Sequence, residues 1–222
     1  IFGHDVPGIG RLRATITRER GAYAIGVRLL GPRLPTLENL GVTPDQISKL
    51  KNLTPGLWII GGRSGSGRST TLAALVHQLA HEGRHVATLE DPIGFSFSRT
   101  TGIRQLEFET DLNRADCKRI VRSLAVDTVL FDLVDDALAI DLALDSAAQG
   151  RLAICVVRSL STAALLHRAV SMDAALHQHR IAEHLSGIVF QQLAINETKT
   201  AYQLQAEIFI PDEALRRNLR SP

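Results

Sequence analysis

Gly62-Arg63-Ser64-Gly65-Ser66-Gly67-Arg68-Ser69 follows a short apolar run, Gly56-Leu57-Trp58-Ile59-Ile60-Gly61, and leads into Thr70-Thr71-Leu72-Ala73-Ala74-Leu75-Val76-His77-Gln78-Leu79. The octet fits the pattern G-x-x-x-x-G-K-[ST] at every position except the lysine, which is Arg68. The run before it suits a buried strand. After it, Leu72, Leu75, Val76 and Leu79 recur at the spacing of one helix face. A strand, a glycine loop and a helix N-terminus in succession bring backbone N–H groups around an anion. The segment is therefore expected to hold a nucleotide phosphate. Gly62, Gly65 and Gly67 supply the tight turn, and Ser64, Ser66, Arg68 and Thr70 complete the expected contacts. The Ser69 hydroxyl is expected to face both phosphate and Mg²⁺.

Outward from the loop, apolar runs alternate with helical patterns. Strands are predicted over 57–61, 85–89, 128–132 and 152–157, and helices over 68–82, 113–124, 136–148 and 160–174. That alternation predicts an α/β fold, a mostly parallel sheet with helices on both faces. Upstream, 11–17 and 22–30 read as two strands joined at Arg20-Gly21, and Gly31-Pro32-Arg33-Leu34-Pro35 reads as a linker. Thr43-Pro44 reads as an N-cap followed by the first helical residue. Downstream, a strand pair is expected around Asn196-Glu197-Thr198-Lys199, and then a short helix over 212–219.

Composition narrows the function classes. The 222 residues, 45% of them hydrophobic, suffice for one full core with a small appendage. No apolar stretch approaches a membrane span, so the chain is expected to be soluble and cytoplasmic, without direct membrane insertion. A net charge of +2 without a basic-aromatic patch gives no support for nucleic-acid binding, including DNA translocation. Cys117 and Cys155 lack metal-ligand spacing and are expected to be buried thiols. The chain opens on Ile1, which reads as a piece of a longer protein. Only Lys49, Lys51, Lys118 and Lys199 of its 25 basic residues are lysine.

Further segments stand in a familiar order. Pro35-Thr36-Leu37-Glu38-Asn39-Leu40-Gly41 precedes the loop. Leu89-Glu90-Asp91-Pro92-Ile93, Arg104-Gln105-Leu106-Glu107, Ala147-Ala148-Gln149-Gly150-Arg151 and Gly187-Ile188-Val189-Phe190-Gln191-Gln192-Leu193 follow it. In order and spacing the chain resembles the type IV pilus and type II secretion ATPases, the PilT/PilB/GspE-like family, in particular its retraction motors. The resemblance implies a RecA-like P-loop core over 37–222, a linker over 31–36, and the last strands of a PAS-like N-terminal domain over 1–30. It also implies ATP/ADP and Mg²⁺ as ligands. The implied partners are further copies or PilT-like paralogues in a ring, and a pilus or secretion platform protein at the inner membrane. In that family arginines of a neighbouring N-terminal domain reach the phosphates, and Arg11, Arg13 and Arg28 are the matching candidates.

Against the family pattern the chain departs at chemical positions. Arg68 replaces the loop lysine, and a planar guanidinium is bulkier than an ammonium. The Gly-Glu that ends the acidic strand is Asp132-Leu133 here. Leucine cannot place water, and Asp132 sits one position off, where a strand presents its opposite face. The acidic segment keeps Glu90 and Asp91 but ends in Gly94, leaving Glu90 as the remaining candidate for activating water. Two family histidines are Arg151 and Arg158, which cannot accept a proton. Loss of a positioned base costs about 10²–10⁴-fold in rate. The expectation is a nucleotide-binding subunit impaired in hydrolysis. The alternative is a divergent but working motor, with Arg68 on the phosphates, Glu90 on water and Asp132 on Mg²⁺.

Overall fold

The computed structural model describes residues 2–30, 33–97, 102–171, 174–195 and 202–220. Three antiparallel strands open it: β1 (Phe2–Val6), β2 (Gly10–Glu19) and β3 (Ala22–Leu30), in that spatial order. The strand β1 was not foreseen, because five residues with His4 and Asp5 among them carry little apolar alternation. After a 3-10 turn at Leu37–Leu40 comes α1 (Pro44–Lys51). Its cap is the expected one: the Thr43 side chain accepts from Gln46 N while the Gln46 side chain accepts from Thr43 N.

The core then runs β4 (Gly56–Gly62), α2 (Arg68–His81), β5 (Val86–Glu90), β6 (Ile103–Glu107) and α3 (Arg114–Ser123). It continues through β7 (Thr128–Asp132), α4 (Asp136–Ala147), β8 (Leu152–Arg158), α5 (Thr162–Ser171) and α6 (Ala174–His184). It closes with β9 (Leu185–Ile195), β10 (Tyr202–Phe209) and α7 (Glu213–Arg220). The seven strands lie in the order β10-β9-β4-β8-β7-β5-β6. All neighbours pair in parallel except the β9–β10 hairpin. The turn expected at 196–199 lies outside the described residues. Besides β1, the strand β6 and the helix α6 were not expected: β6 is a short, half-buried edge strand, and the helix expected over 160–174 is α5, with α6 following as a separate helix.

Strand alternation sorts the core into two layers. Leu57, Ile59, Val129, Phe131, Ala153, Cys155 and Val157 face α3, α4, α5 and α6. Trp58, Ile60, Leu130, Ile154 and Val156 face the 3-10 turn, α1 and α2. The same alternation decides the site: on β7 the residue after Phe131 points toward α2, and the next one points away. Both cysteines are buried and free, and burial pushes both thiols above their ordinary pKa. No helix among the described residues is long and apolar enough to cross a membrane.

Candidate nucleotide-phosphate site

At the C-terminal end of β4 the chain turns sharply into α2. Gly62 is buried beneath the turn, where a Cβ would collide with both the Gln191 carbonyl and the Ser66 hydroxyl. Gly65 and Gly67 take φ of +80° and +86°, a conformation that L side chains rarely adopt. Gly67 is the N-cap of α2, and no side chain caps the helix. The first-turn N–H groups, which have no intrahelical acceptor, are thus left for an anion. Underneath, fully buried Gln191 on β9 donates its Nε2 to the Ser66 carbonyl at 2.7 Å and holds the crown of the loop. Sequence reasoning named Gln191 only within a family segment; an amide inside a buried strand was the available signal.

Gly65, Ser66, Gly67, Arg68, Ser69 and Thr70 line a cleft closed by Asp132, Arg13 and Arg28. Of the other loop residues expected to contact phosphate, Gly62 lies under the loop and Ser64 lines a concavity on its other flank. The cleft measures about 80 Å³, far below the roughly 300 Å³ at which small-molecule pockets begin. A space of that size suits a small anion such as a phosphate group rather than a whole nucleotide.

Asp132 reverses an expectation. Strand alternation predicts the opposite face for this position, yet Ser69 Oγ donates to Asp132 Oδ2 at 2.6 Å. Position 132 is the one that faces α2, and Leu133 continues the Val129–Phe131 side into the core, 5% exposed. A loop serine beside a strand-end aspartate is the pair that holds Mg²⁺ in P-loop proteins, so this donor set fits the ion. Leu133 adds no oxygen. No group of three or more His, Cys, Asp or Glu side chains among the described residues is placed to hold a metal.

Burial raises the Asp132 pKa, while the Ser69 hydrogen bond and the positive fields of Arg68, Arg13 and Arg158 oppose it. Arg68 is half-buried at the cleft; desolvation lowers its pKa, and Asp132 works the other way. Glu90 ends β5 in register with Asp132, but it is only 7% exposed. Thr88 Oγ1 and Gln105 Nε2 donate to its Oε1 at 2.7 and 3.1 Å, and Gly94 N donates to Oε2 at 3.0 Å. Burial raises its pKa despite these three donors. Glu90 thus sits in a closed polar knot.

The arginines divide. Arg13 and Arg28 are cross-strand partners whose side chains roof the cleft from the same chain. Arg11 instead ties β2 to the core, donating to the Ile93 carbonyl at 2.9 Å and pairing with Asp5 at 3.0 Å. Arg158 ends β8 in register with Gly62, beside the loop. Arg151 is at the opposite edge of the sheet, where it donates to the carbonyls of Val121, Arg122 and Leu124 at 2.8, 3.0 and 2.9 Å.

The family model described as Type II/IV secretion system protein matches residues 14–216. The chain belongs to that family. Within the secretion-ATPase family it is 30% identical to the type IV pilus retraction ATPase PilT of Pseudomonas aeruginosa, over 99% of this chain and 65% of the relative. It is 28% identical to PilU of the same organism, over 86% of this chain and 52% of the relative. The crystal structure of the pilus retraction motor PilT with bound ADP superposes with a TM-score of 0.85 at 27% identity, covering 99% of this chain and 65% of that one. The fold is accordingly the PilT-like RecA-type ATPase fold, and the chain spans about 65% of the PilT sequence it matches.

Proposed function

We propose that this chain binds an adenine nucleotide at the Gly62–Thr70 loop, is impaired in hydrolysing it, and serves as a structural or regulatory subunit of a type IV pilus or secretion assembly. The observation that carries the reading is the split between positions 132 and 133. Asp132 meets Ser69 at the loop, which supports phosphate and Mg²⁺ binding. Leu133 is sealed in the core, and Glu90 has both carboxylate oxygens engaged by buried donors. Neither offers a free carboxylate to water. Bound Mg²⁺ would neutralise developing phosphate charge, with Ser69 and Asp132 holding it. The loop N–H groups and Arg68 orient the phosphates, and Arg13 and Arg28 cover them. Residues 1–30 act as the end of a PAS-like domain, followed by the linker over 31–36, of which Gly31 and Pro32 lie outside the described residues. The partners are other copies or paralogues in a ring, and a platform protein at the inner membrane.

A working, divergent motor is the second reading, favoured by the intact Ser69–Asp132 pair. Calorimetric titration of Mg·ATP, followed by phosphate release on the same sample, separates the two. Binding without release is expected. Release abolished by Asp132→Asn would establish the motor, and absence of binding would remove the nucleotide altogether.

A further inference from the structure

Two carboxylates flank Leu133 at the C-terminal end of β7, and they are satisfied in different ways. Asp132 accepts from Ser69 at the phosphate cleft. Asp136, the first residue of α4, is only 6% exposed, and burial raises its pKa. Arg168 on α5 pairs with its Oδ2 at 2.9 Å. The backbone N–H of Arg158 and the fields of Arg158 and Arg68 also favour the charged form. The helix α5 fixes the pairing, because Leu165 and Ala169, which flank Arg168, are fully buried. Leu165 packs so closely on Gly61 of β4 that a Cβ there would collide with it.

The two partners have unequal needs. Arg168 is half-exposed, and without its acid it is simply hydrated. A buried carboxylate without its cation has to be neutralised by another. Besides Arg168, the cations whose fields reach Asp136 are Arg158 and Arg68. Arg68 lines the phosphate cleft, where Asp132 and Asp136 both attract it and Arg158 repels it. Were Asp136 left unpaired, the pull on Arg68 would turn away from the cleft.

We propose that Asp136 and Arg168 form a positioning pair: Arg168 satisfies the buried acid and so leaves Arg68 to the phosphate cleft. The consequence for affinity rests on the nucleotide reading; the placement of Arg68 does not. The test is a double-variant cycle with two readouts. One is the Arg68 Nε–H signal of the ¹⁵N-labelled chain without ligand, assigned by its loss in Arg68→Lys. The other is the affinity for Mg·ATP by calorimetry. Arg168→Gln is expected to shift the signal and weaken binding about tenfold, as loss of one charge-assisted contact would. Asp136→Asn leaves only a hydrated arginine behind and should alter neither readout. Combining the two substitutions should return both readouts to their original values. An ion pair that merely holds the fold would leave the Arg68 signal where it was. An unmoved signal, or a double variant as weak as Arg168→Gln, overturns the proposal. If Arg168→Gln fails to fold by its amide spectrum, the double variant decides alone, with original values supporting the pair and altered ones overturning it. If the unmodified chain takes up no Mg·ATP, the nucleotide reading falls and the Arg68 signal still decides the pair.

Discussion

At the N-terminal edge of the parallel strands, Arg151 donates to three carbonyls at the end of α3, and Arg216 to the carbonyls of Ala182 and Leu185 at the end of α6. Asp127 accepts from the backbone N–H of His85 at the start of β5. At the C-terminal edge, Ser66 Oγ, Thr71 Oγ1 and Gln191 Oε1 are buried without a partner among the described residues. Asp132 and Glu90 are carboxylates held where burial disfavours their charge. Buried polar groups are normally paired; the first edge leaves Thr128 Oγ1 at the start of β7 without a partner among the described residues, whereas three such atoms stand at the second, which gives that edge the larger unmet capacity for a ligand. Open α/β sheets bind ligands at that second edge. Two arginines illustrate the difference: Arg151 caps a helix, while Arg158 stands beside the loop.

The harshest challenge to this contrast is Leu133→Glu. If position 133 belongs to the core, a carboxylate there is unpaired, and the chain should lose about 3–5 kcal/mol by urea unfolding without gaining phosphate release. A stable variant that turns over ATP would show that the position faces the site after all. Next is Arg151→Ala, which strips three acceptors of their donor and should cost about 2–3 kcal/mol while leaving nucleotide affinity unchanged. An altered affinity would erase the distinction between the two edges. Gln191→Ala removes the donor under the loop crown and should weaken Mg·ATP binding about tenfold by calorimetry. Equal affinity would mean that the loop holds its shape unaided.

The smallest effect is one of pH. Burial raises the Glu90 carboxyl, so its charged form is less favourable folded than unfolded. The folded state therefore binds the proton more tightly, and stability relative to Glu90→Gln should decline as pH climbs from the ordinary carboxylate range through the raised folded value, then level off. Unfolding curves across that window check the sign; a relative stability that rises with pH would place Glu90 in a solvated, ion-paired setting.

The loop and its flanking strand and helix were legible because each is written locally: an apolar run, three glycines and a 3.6-residue period. The Thr43 cap was legible for the same reason. The strand β6 escaped because an edge strand buries little and shows little pattern. The helix α6 escaped because the polar run Gln178-His179-Arg180 breaks up the apolar spacing in its sequence. At the site, residue types were readable and their directions were not. Whether 132 or 133 faces the loop depends on where α2 lies relative to β7. The same holds for Glu90, whose closure comes from Gln105 on the neighbouring strand, and for Arg151, whose partners are the last carbonyls of a helix distant in sequence.

Arg13 and Arg28 face each other across two strands, above an uncapped helix end, in a space sized for a single phosphate group. Two guanidiniums so placed repel each other until an oxyanion lies between them. Sulfate or phosphate in a purification buffer would compete for that place. A nucleotide then has to displace the salt before it can be weighed. Affinities measured in such buffers would report the exchange of one anion for another, and chloride or acetate buffers at fixed ionic strength are the conditions in which this cleft shows its own preference.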